Sequence, residues 1–509
     1  MSAPVSAHAA METARGRRRT IFCFLMLALF MATLDNQIVS TALPTIVAEF
    51  GALERFGWIG SAYLLAQSAI MPVYGKLGDL FGRKYVMMFA VALFVVGSLA
   101  CGLAWSMNSL IAARVLQGLG GGGIMVSIFS ITADLFEPRE RARYQSFASL
   151  VLMASGSIGP TLGGTMSQLF GWRSIFLVNL PVGVAVLAGL YLLLPHVRPD
   201  RQPKIDYAGA ITLALAIGAT VLWADSAQIF GGLLAPEALG VLALAVIAAI
   251  AWVMIERRAP EPIVPLHLFR NSTFPLLLVV ALASGGVGIG LVNFHALFLQ
   301  MTTGLSPAHA GLFFIAITGG IAAGSLTAGR LIERTGRYKP FLVAALALTV
   351  TALLILSRLH VGTPLWLLAA VLLGCGTAIG LGQQSPVIGV QMAAPRRDIG
   401  AATGAVTLCR MAGASLAISI YGAVLSARLA AGGAAIPDVA DPATLSPDGL
   451  AALPEASRIA VGLLFSDAFT WVYTTAAGIA ALGLVAALML HPARMPAAGA
   501  AGTQVPAAE

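Results

Sequence analysis

Two ionisable side chains sit where the sequence otherwise reads as hydrocarbon. Asp35 belongs to the first long apolar run, in the stretch Leu34-Asp35-Asn36-Gln37-Ile38-Val39-Ser40-Thr41-Ala42-Leu43-Pro44, and Arg114 belongs to a later run. A charged group inside a bilayer is costly, so its default reading is functional. A carboxylate in such a place can take up and release a proton: burial favours its neutral form, and a neighbouring guanidinium favours its charged form. At 1.5 Å per residue, Asp35 lies about 22 Å along its span and Arg114 about 9 Å into a span running the other way. Both therefore fall about 8–9 Å from the same membrane surface, and we expect them to communicate directly or through water. The structural alternative is a static ion pair that only holds two helices together.

Other residues offer weaker chemistry. Arg410 is a second cation within a span, with Gln383 and Gln384 or backbone carbonyls as expected partners. Asn36, Gln37, Tyr63, Gln67, Asn179, Asn293, His295 and Gln300 are polar or aromatic points in apolar runs. A mostly apolar cavity with a few polar points suits lipophilic, often cationic compounds, although each such residue serves equally well as an interhelical hydrogen bonder. The run Gly118-Leu119-Gly120-Gly121-Gly122-Gly123 matches G-x-G-x-x-G in form only, because no strand precedes it. No P-loop, HExxH or GxSxG occurs, so neither an enzyme nor a nucleotide-driven machine is expected, and the proton gradient replaces any cofactor. Cys23, Cys101, Cys375 and Cys409 lie in apolar runs without metal-ligand spacing, so no metal site is expected.

The elements that carry these residues follow from composition. Of 509 residues, 58% are hydrophobic and 10% are charged, against about 25% charged in soluble domains. Repeated apolar runs of about 20 residues give an all-α polytopic membrane protein, and the 55 glycines suit close helix packing in lipid. Spans are expected at 20–43, 57–78, 85–105, 108–134, 144–169, 174–194, 207–225, 235–255, 273–299, 307–332, 338–357, 364–392, 400–427 and 466–490. These fourteen spans divide into a tail (1–19), a six-helix bundle (20–194), two inserted helices with their loops (195–272), a second six-helix bundle (273–490) and a tail (491–509). Nearly all Lys and Arg outside the spans fall in one set of alternate loops; only Arg55, Arg173, Arg358, Arg428 and Arg458 fall in the other. This asymmetry places both termini in the cytoplasm, and the same scatter of the +8 net charge argues against nucleic acid as a partner. The longest loop, 429–465, is then external.

Gly75-Lys76-Leu77-Gly78-Asp79-Leu80-Phe81-Gly82-Arg83 recurs as Gly329-Arg330-Leu331-Ile332-Glu333-Arg334-Thr335-Gly336-Arg337 at a constant offset of 254. Related halves of this kind are common in secondary transporters. The charges Asp79, Arg83 and Lys84, with the turn glycines Gly75 and Gly82 and the repeat's Glu333 and Arg337, are expected to form a cytoplasmic latch; a plain topology anchor would not require Asp79. Gly156-x-x-Gly159-Pro160-x-x-Gly163-Gly164 sets small residues on one helix face with a mid-span proline, which permits close crossing and a bend.

With these residues in view, the chain resembles the fourteen-span drug:proton antiporter family of the major facilitator superfamily. The resemblance rests on the Gly75–Lys84 loop, on Arg114-Val115-Leu116-Gln117-Gly118, on the fifth-span glycines with Pro160, on Leu34-Asp35 through Leu43-Pro44, and on Gly171-Trp172-Arg173 with Phe176, Asn179 and Pro181. Asn36-Gln37 stands where the family more often has small hydroxyl residues, and Ser174 where an aromatic is common. The resemblance implies a major facilitator fold, two six-helix bundles with two extra central helices. It implies a multidrug efflux permease of the inner, cytoplasmic membrane that exchanges protons for drug-like compounds by alternating access and confers antibiotic resistance. Partners would be the small-molecule substrate, protons and lipid, and the resemblance leaves room for a periplasmic adaptor. An exporter of one metabolite or antibiotic, or a nutrient importer of the same fold, stays open at this point.

Overall fold

The computed structural model describes residues 4–50, 56–195, 206–224, 226, 230, 232, 234–303, 305, 307–432, 453–491 and 495. Most of the expected 429–465 loop (433–452) and of the last tail lies outside the described residues, as do the side chains of Pro160 and Asn293. The regular elements among the described residues are helices: α1 Pro4–Phe50, α2 Phe56–Phe81, α3 Arg83–Gly102, α4 Met107–Leu135, α5 Pro138–Phe170, α6 Ser174–Leu177, α7 Asn179–Leu193, α8 Tyr207–Ala224 and α9 Pro236–Glu256. They continue as α10 Thr273–Gly288, α11 Val292–Thr303, α12 Pro307–Thr335, α13 Lys339–Leu356, α14 Leu365–Gly382, α15 Ser385–Ala393, α16 Ile399–Gly432 and α17 Glu455–Met489, with 3-10 turns at Leu266–Arg270 and Arg396–Asp398.

Ten helices among the described residues are long and apolar enough to cross a membrane, or eleven when α5, bent by 45° between Pro138–Gly156 and Thr161–Phe170, counts as one span. The bend falls where the sequence places Pro160. The count is below the expected fourteen for identifiable reasons. In α2 the polar residues Tyr63, Gln67, Tyr74 and Lys76 are buried against protein and lower the helix's hydropathy. The stretch expected as one span at 273–299 is divided between α10 and α11, and α8 is apolar but short.

The chain separates into two compact units. The first comprises Met1–Trp223, Pro236–Arg270 and Ala394–Leu408; the second comprises Ala224–Ala235, Asn271–Ala393 and Cys409–Glu509. In the first unit α4 starts at a capping box. The Ser106 hydroxyl accepts from the Ser109 amide at 3.2 Å and the Ser109 hydroxyl accepts from the Ser106 amide at 3.0 Å, which satisfies two end donors. The glycine run then lets α4 lie backbone to backbone against two neighbours. A side chain at Gly118 would strike the Tyr63 carbonyl of α2, one at Gly122 the Gln67 carbonyl, and one at Gly120 the Phe94 amide of α3. In the second unit α12 and α14 use the same device reciprocally: Gly320 meets Leu373, Gly324 meets Thr377, Gly376 meets Ile317 and Gly380 meets Ile321, each through a backbone carbonyl. Such approach supplies packing where lipid offers no hydrophobic drive between helices.

The offset of 254 reappears as geometry. Gly82 ends α2 at φ 89° and Gly336 follows α12 at φ 64°, left-handed conformations that favour glycine. Gly120→Val should therefore lower the thermal midpoint of the purified protein, with overpacking worth about 1–3 kcal/mol. Gly240→Ala, in α9 with nothing within 4 Å, should leave it unchanged. Equal midpoints for Gly120→Val and wild type would contradict this account of α4.

Candidate functional site

Asp35 and Arg114 meet. Arg114 Nη1 donates to Asp35 Oδ2 at 2.5 Å, with Asp35 1% and Arg114 0% exposed. The other carboxylate oxygen, Oδ1, accepts from Gln117 Nε2 and from Asn179 Nδ2, each at 2.8 Å. Both amides also donate to Ser98 Oγ, at 2.7 and 3.1 Å. Five helices thus contribute. Asp35 comes from α1, Ser98 from α3, Arg114 and Gln117 from one turn of α4, and Asn179 from the start of α7; α2 supplies the Ile59 carbonyl, which accepts from Arg114 Nε at 3.2 Å. The Arg114 guanidinium also lies over the Tyr63 ring at 4.3 Å and reaches Gln117 Oε1 at 2.6 Å and Asn36 Oδ1 at 3.4 Å. Leu34, Ile38, Leu110, Ala113, Ile175 and Phe176 belong to one buried apolar cluster, and the Phe176 ring lies 5.9 Å from the Arg114 guanidinium.

The arrangement can exchange a charge. Were Asp35 protonated, Arg114 would keep the Gln117 oxygen, the Ile59 carbonyl and the Tyr63 ring, so neither partner would be stranded. Removing Arg114 outright would leave a buried uncompensated carboxylate, at a cost of about 3–5 kcal/mol.

Several residues proposed from sequence sit elsewhere. Gln37 turns from Asp35 to α5, where a side chain at Gly159 would strike its Cβ and one at Gly156 would meet its amide nitrogen at 3.5 Å. The small residues of α5 therefore accommodate Gln37 of α1. Among the described residues no other element comes within 4 Å of the side-chain position at Gly164, while Gly163 is buried. Gln67 is buried in α2.

At the end of α2, Asp79 accepts from the Gly400 and Ala401 amides at 3.1 and 3.0 Å, capping the first turn of α16. Arg83 binds Asp79 at 2.7 Å and Asp134 at 2.9 Å, and Lys84 donates to the Tyr191 carbonyl at 2.7 Å. Gly75 has no side chain because the Gly400 carbonyl occupies that place. Burial pushes the Asp79 carboxyl up to about 6, opposed by Arg83 and the two amides. A cavity of about 350 Å³ opens beside Asp79, Arg83 and Asp134, with Arg396 and Arg397 on its wall. The second copy of the loop differs. Among the described residues Glu333 and Arg337 join no ion pair, and Arg337 is exposed, so water solvates the charge that Arg83 buries.

In the second unit Arg410 and Gln383 line one small cavity of about 30 Å³ with Ser284 and Thr349. It faces the end of α10 at Gly288 and the break between α14 and α15, where Gln383 and Gln384 stand. His295 lies away from it in the core, stacked on Tyr473 with Nδ1 3.1 Å from the Tyr473 hydroxyl. Gln300 is half-buried in α11.

The roles of Gln117 and Ser98 are not legible in the sequence, although the spacing of three from Arg114 places Gln117 on the same helix face. Nor is that of Glu49, which accepts from Trp172 Nε1 at 2.6 Å and from Arg173 at 2.8 and 3.0 Å. The Arg173 hydrogen bonds hold the Glu49 carboxyl below its usual range.

Comparison with known proteins agrees with this architecture. The chain is 34% identical over 486 residues to an MFS-type transporter of Mycobacterium tuberculosis strain H37Rv, covering 93% of this chain and 70% of the relative. It is 30% identical over 426 residues to the multidrug transporter protein MdtP of Bacillus subtilis, covering 82% and 77%. It is 29% identical over 496 residues to multidrug resistance protein 3 of Bacillus subtilis, covering 92% and 94%. The human organic anion transporter MFSD10 superposes with a TM-score of 0.61 at 17% identity, covering 92% of this chain and 99% of that one. The proton:xylose symporter XylE superposes with a TM-score of 0.58 at 16% identity, covering 94% and 97%, and these two likenesses show the fold. The family model for the Major Facilitator Superfamily matches residues 25–418, and this multi-pass membrane protein belongs to that superfamily.

Proposed function

We propose that the protein is a proton-coupled antiporter that exports lipophilic or cationic drug-like compounds by alternating access. Asp35 carries the proton and Arg114 is its exchangeable counter-ion. The observation that carries this reading is the buried carboxylate whose cation has other acceptors within reach. When Arg114 moves away Asp35 takes up a proton, and a lipophilic cation that displaces this proton meets a single negative charge in an apolar surround, where Coulomb attraction is strong. The multidrug names of the Bacillus relatives support export over uptake.

In this reading both termini and the Asp79 loop face the cytoplasm, and α2, α8 and the α10–α11 pair cross the bilayer with the longer helices to make fourteen spans. The energy comes from the proton gradient without a bound cofactor. Asp79, capping α16 and tied to Arg83, is the latch that holds one transport state. The Arg410 cavity is a polar point on the substrate's route.

The test is purified protein in liposomes with an imposed pH gradient and an internal pH dye, challenged with lipophilic cations and neutral drugs. Substrate-dependent proton movement is expected in wild type and should fall to background in Asp35→Asn. Movement that survives in Asp35→Asn would place the carrier elsewhere, and accumulation of compound on the wrong side would indicate an importer. Gln117→Ala and Asn179→Ala each remove one donor to a charged group, worth about 1.5–3 kcal/mol, and should slow exchange about ten- to a hundredfold. Asp79→Ala should change the populations of spin-label distances between transport states; unchanged distributions would argue against the latch.

A further inference from the structure

The inserted helices α8 and α9 hold a second carboxylate site, apart from the Asp35 network. Asp206 stands just before α8 and Glu256 is the last residue of α9. Asp206 Oδ1 accepts from the Gly209 amide at 2.8 Å, and Glu256 Oε1 accepts from the Val264 amide at 2.5 Å. The remaining oxygens, Asp206 Oδ2 and Glu256 Oε2, are both buried and accept no hydrogen bond. They converge over Gly209, where a side chain would strike both, Glu256 Oε2 at 2.9 Å. Glu256 is 3% exposed, so water does not answer its charge.

Asp206 disfavours a charge on Glu256, whereas the Val264 amide, Lys76 and the Trp252 indole one turn back, whose Nε1 is likewise buried without a well-aligned partner, favour one. Lys76 is already engaged, bound to Glu261 at 2.8 Å. Two adjacent buried anions repel, and two orphaned acceptors are costly. One proton removes both costs, because a protonated carboxyl donates to a charged one. The proton's position follows from the helix. Asp206 occupies the N-cap of α8, where backbone amides and the macrodipole favour a carboxylate anion, so Glu256 is the acid. A metal ion fits poorly: hard cations take six or more oxygen ligands, and no group of three or more candidate ligands occurs among the described residues.

We infer that Glu256 is protonated in the folded protein and donates its proton to Asp206 Oδ2, which makes the pair a proton-binding site at the ends of the two inserted helices. Glu256 also holds the loop that carries Glu261, which reaches Lys76 on α2, so loss of this proton sets two anions against each other beside the Gly75–Lys84 loop.

Infrared spectra of the full-length protein in lipid vesicles at neutral pH test the site. The difference between wild type and Glu256→Gln should contain the carbonyl stretch of a protonated carboxylic acid. Spectra that superimpose in that region would overturn the assignment. Asp206→Asn gives an independent reading should Glu256→Gln fail to fold: the band must shift or vanish, because its acceptor changes from an anion to an amide, and an unmoved band overturns the pairing. The linkage has a definite sign. A carboxyl kept protonated by folding contributes stability that is lost as pH rises above the ordinary Glu range. Between about pH 5 and about pH 8 the wild-type thermal midpoint should therefore fall more than that of Glu256→Gln, and parallel curves would also overturn the proposal.

Discussion

A charge taken out of water must be answered by its surroundings, and the first unit is arranged around that requirement at Asp35. One carboxylate draws a guanidinium, two amides and, through them, a serine hydroxyl from three other helices. Replacing such a pair with apolar residues often costs a protein nothing, whereas removing one partner costs several kcal/mol. The pair is therefore weak as an explanation of stability. Under the proposed antiport it is a group whose charge changes during function, and Arg114 keeps acceptors when Asp35 is neutral.

The network needs helices closer together than ordinary side chains allow. Gly118, Gly120 and Gly122 bring α4 against α2 and α3, so that Arg114 and Gln117 reach Asp35 on α1 and Gln117 shares Ser98 of α3 with Asn179 of α7. On another face of α1, Gly156 and Gly159 admit Gln37, while Asp35 and Asn36 of the same turn reach Arg114. Packing and electrostatics are thus one design: the glycines set the distances at which the polar groups become useful.

Much of this was legible in the residues themselves. An Asp and an Arg at matched depth in two apolar runs announced a pair, and the recurrence of Gly82 as Gly336 announced a repeated turn that the backbone angles display. Asn179 was visible as a polar point but not as a ligand of Asp35, because nothing in sequence fixes how α7 rotates against α1. Ser98 and Asp206 were silent for the same reason. The Asp79 contact with Gly400 and Ala401 joins residues more than three hundred positions apart, a separation that no local pattern spans. Hydropathy miscounts spans where a helix such as α2 turns polar residues toward protein rather than lipid, so the boundary between a buried helix and a spanning one blurs there.

The account stands on Asp35 giving up a proton when substrate arrives. The direct measurement is the pH change of a weakly buffered solution of purified protein on addition of a lipophilic cation that it binds. The account predicts proton release from wild type and none from Asp35→Asn at matched occupancy. Equal release from both proteins, or none from wild type with the compound bound, would contradict it.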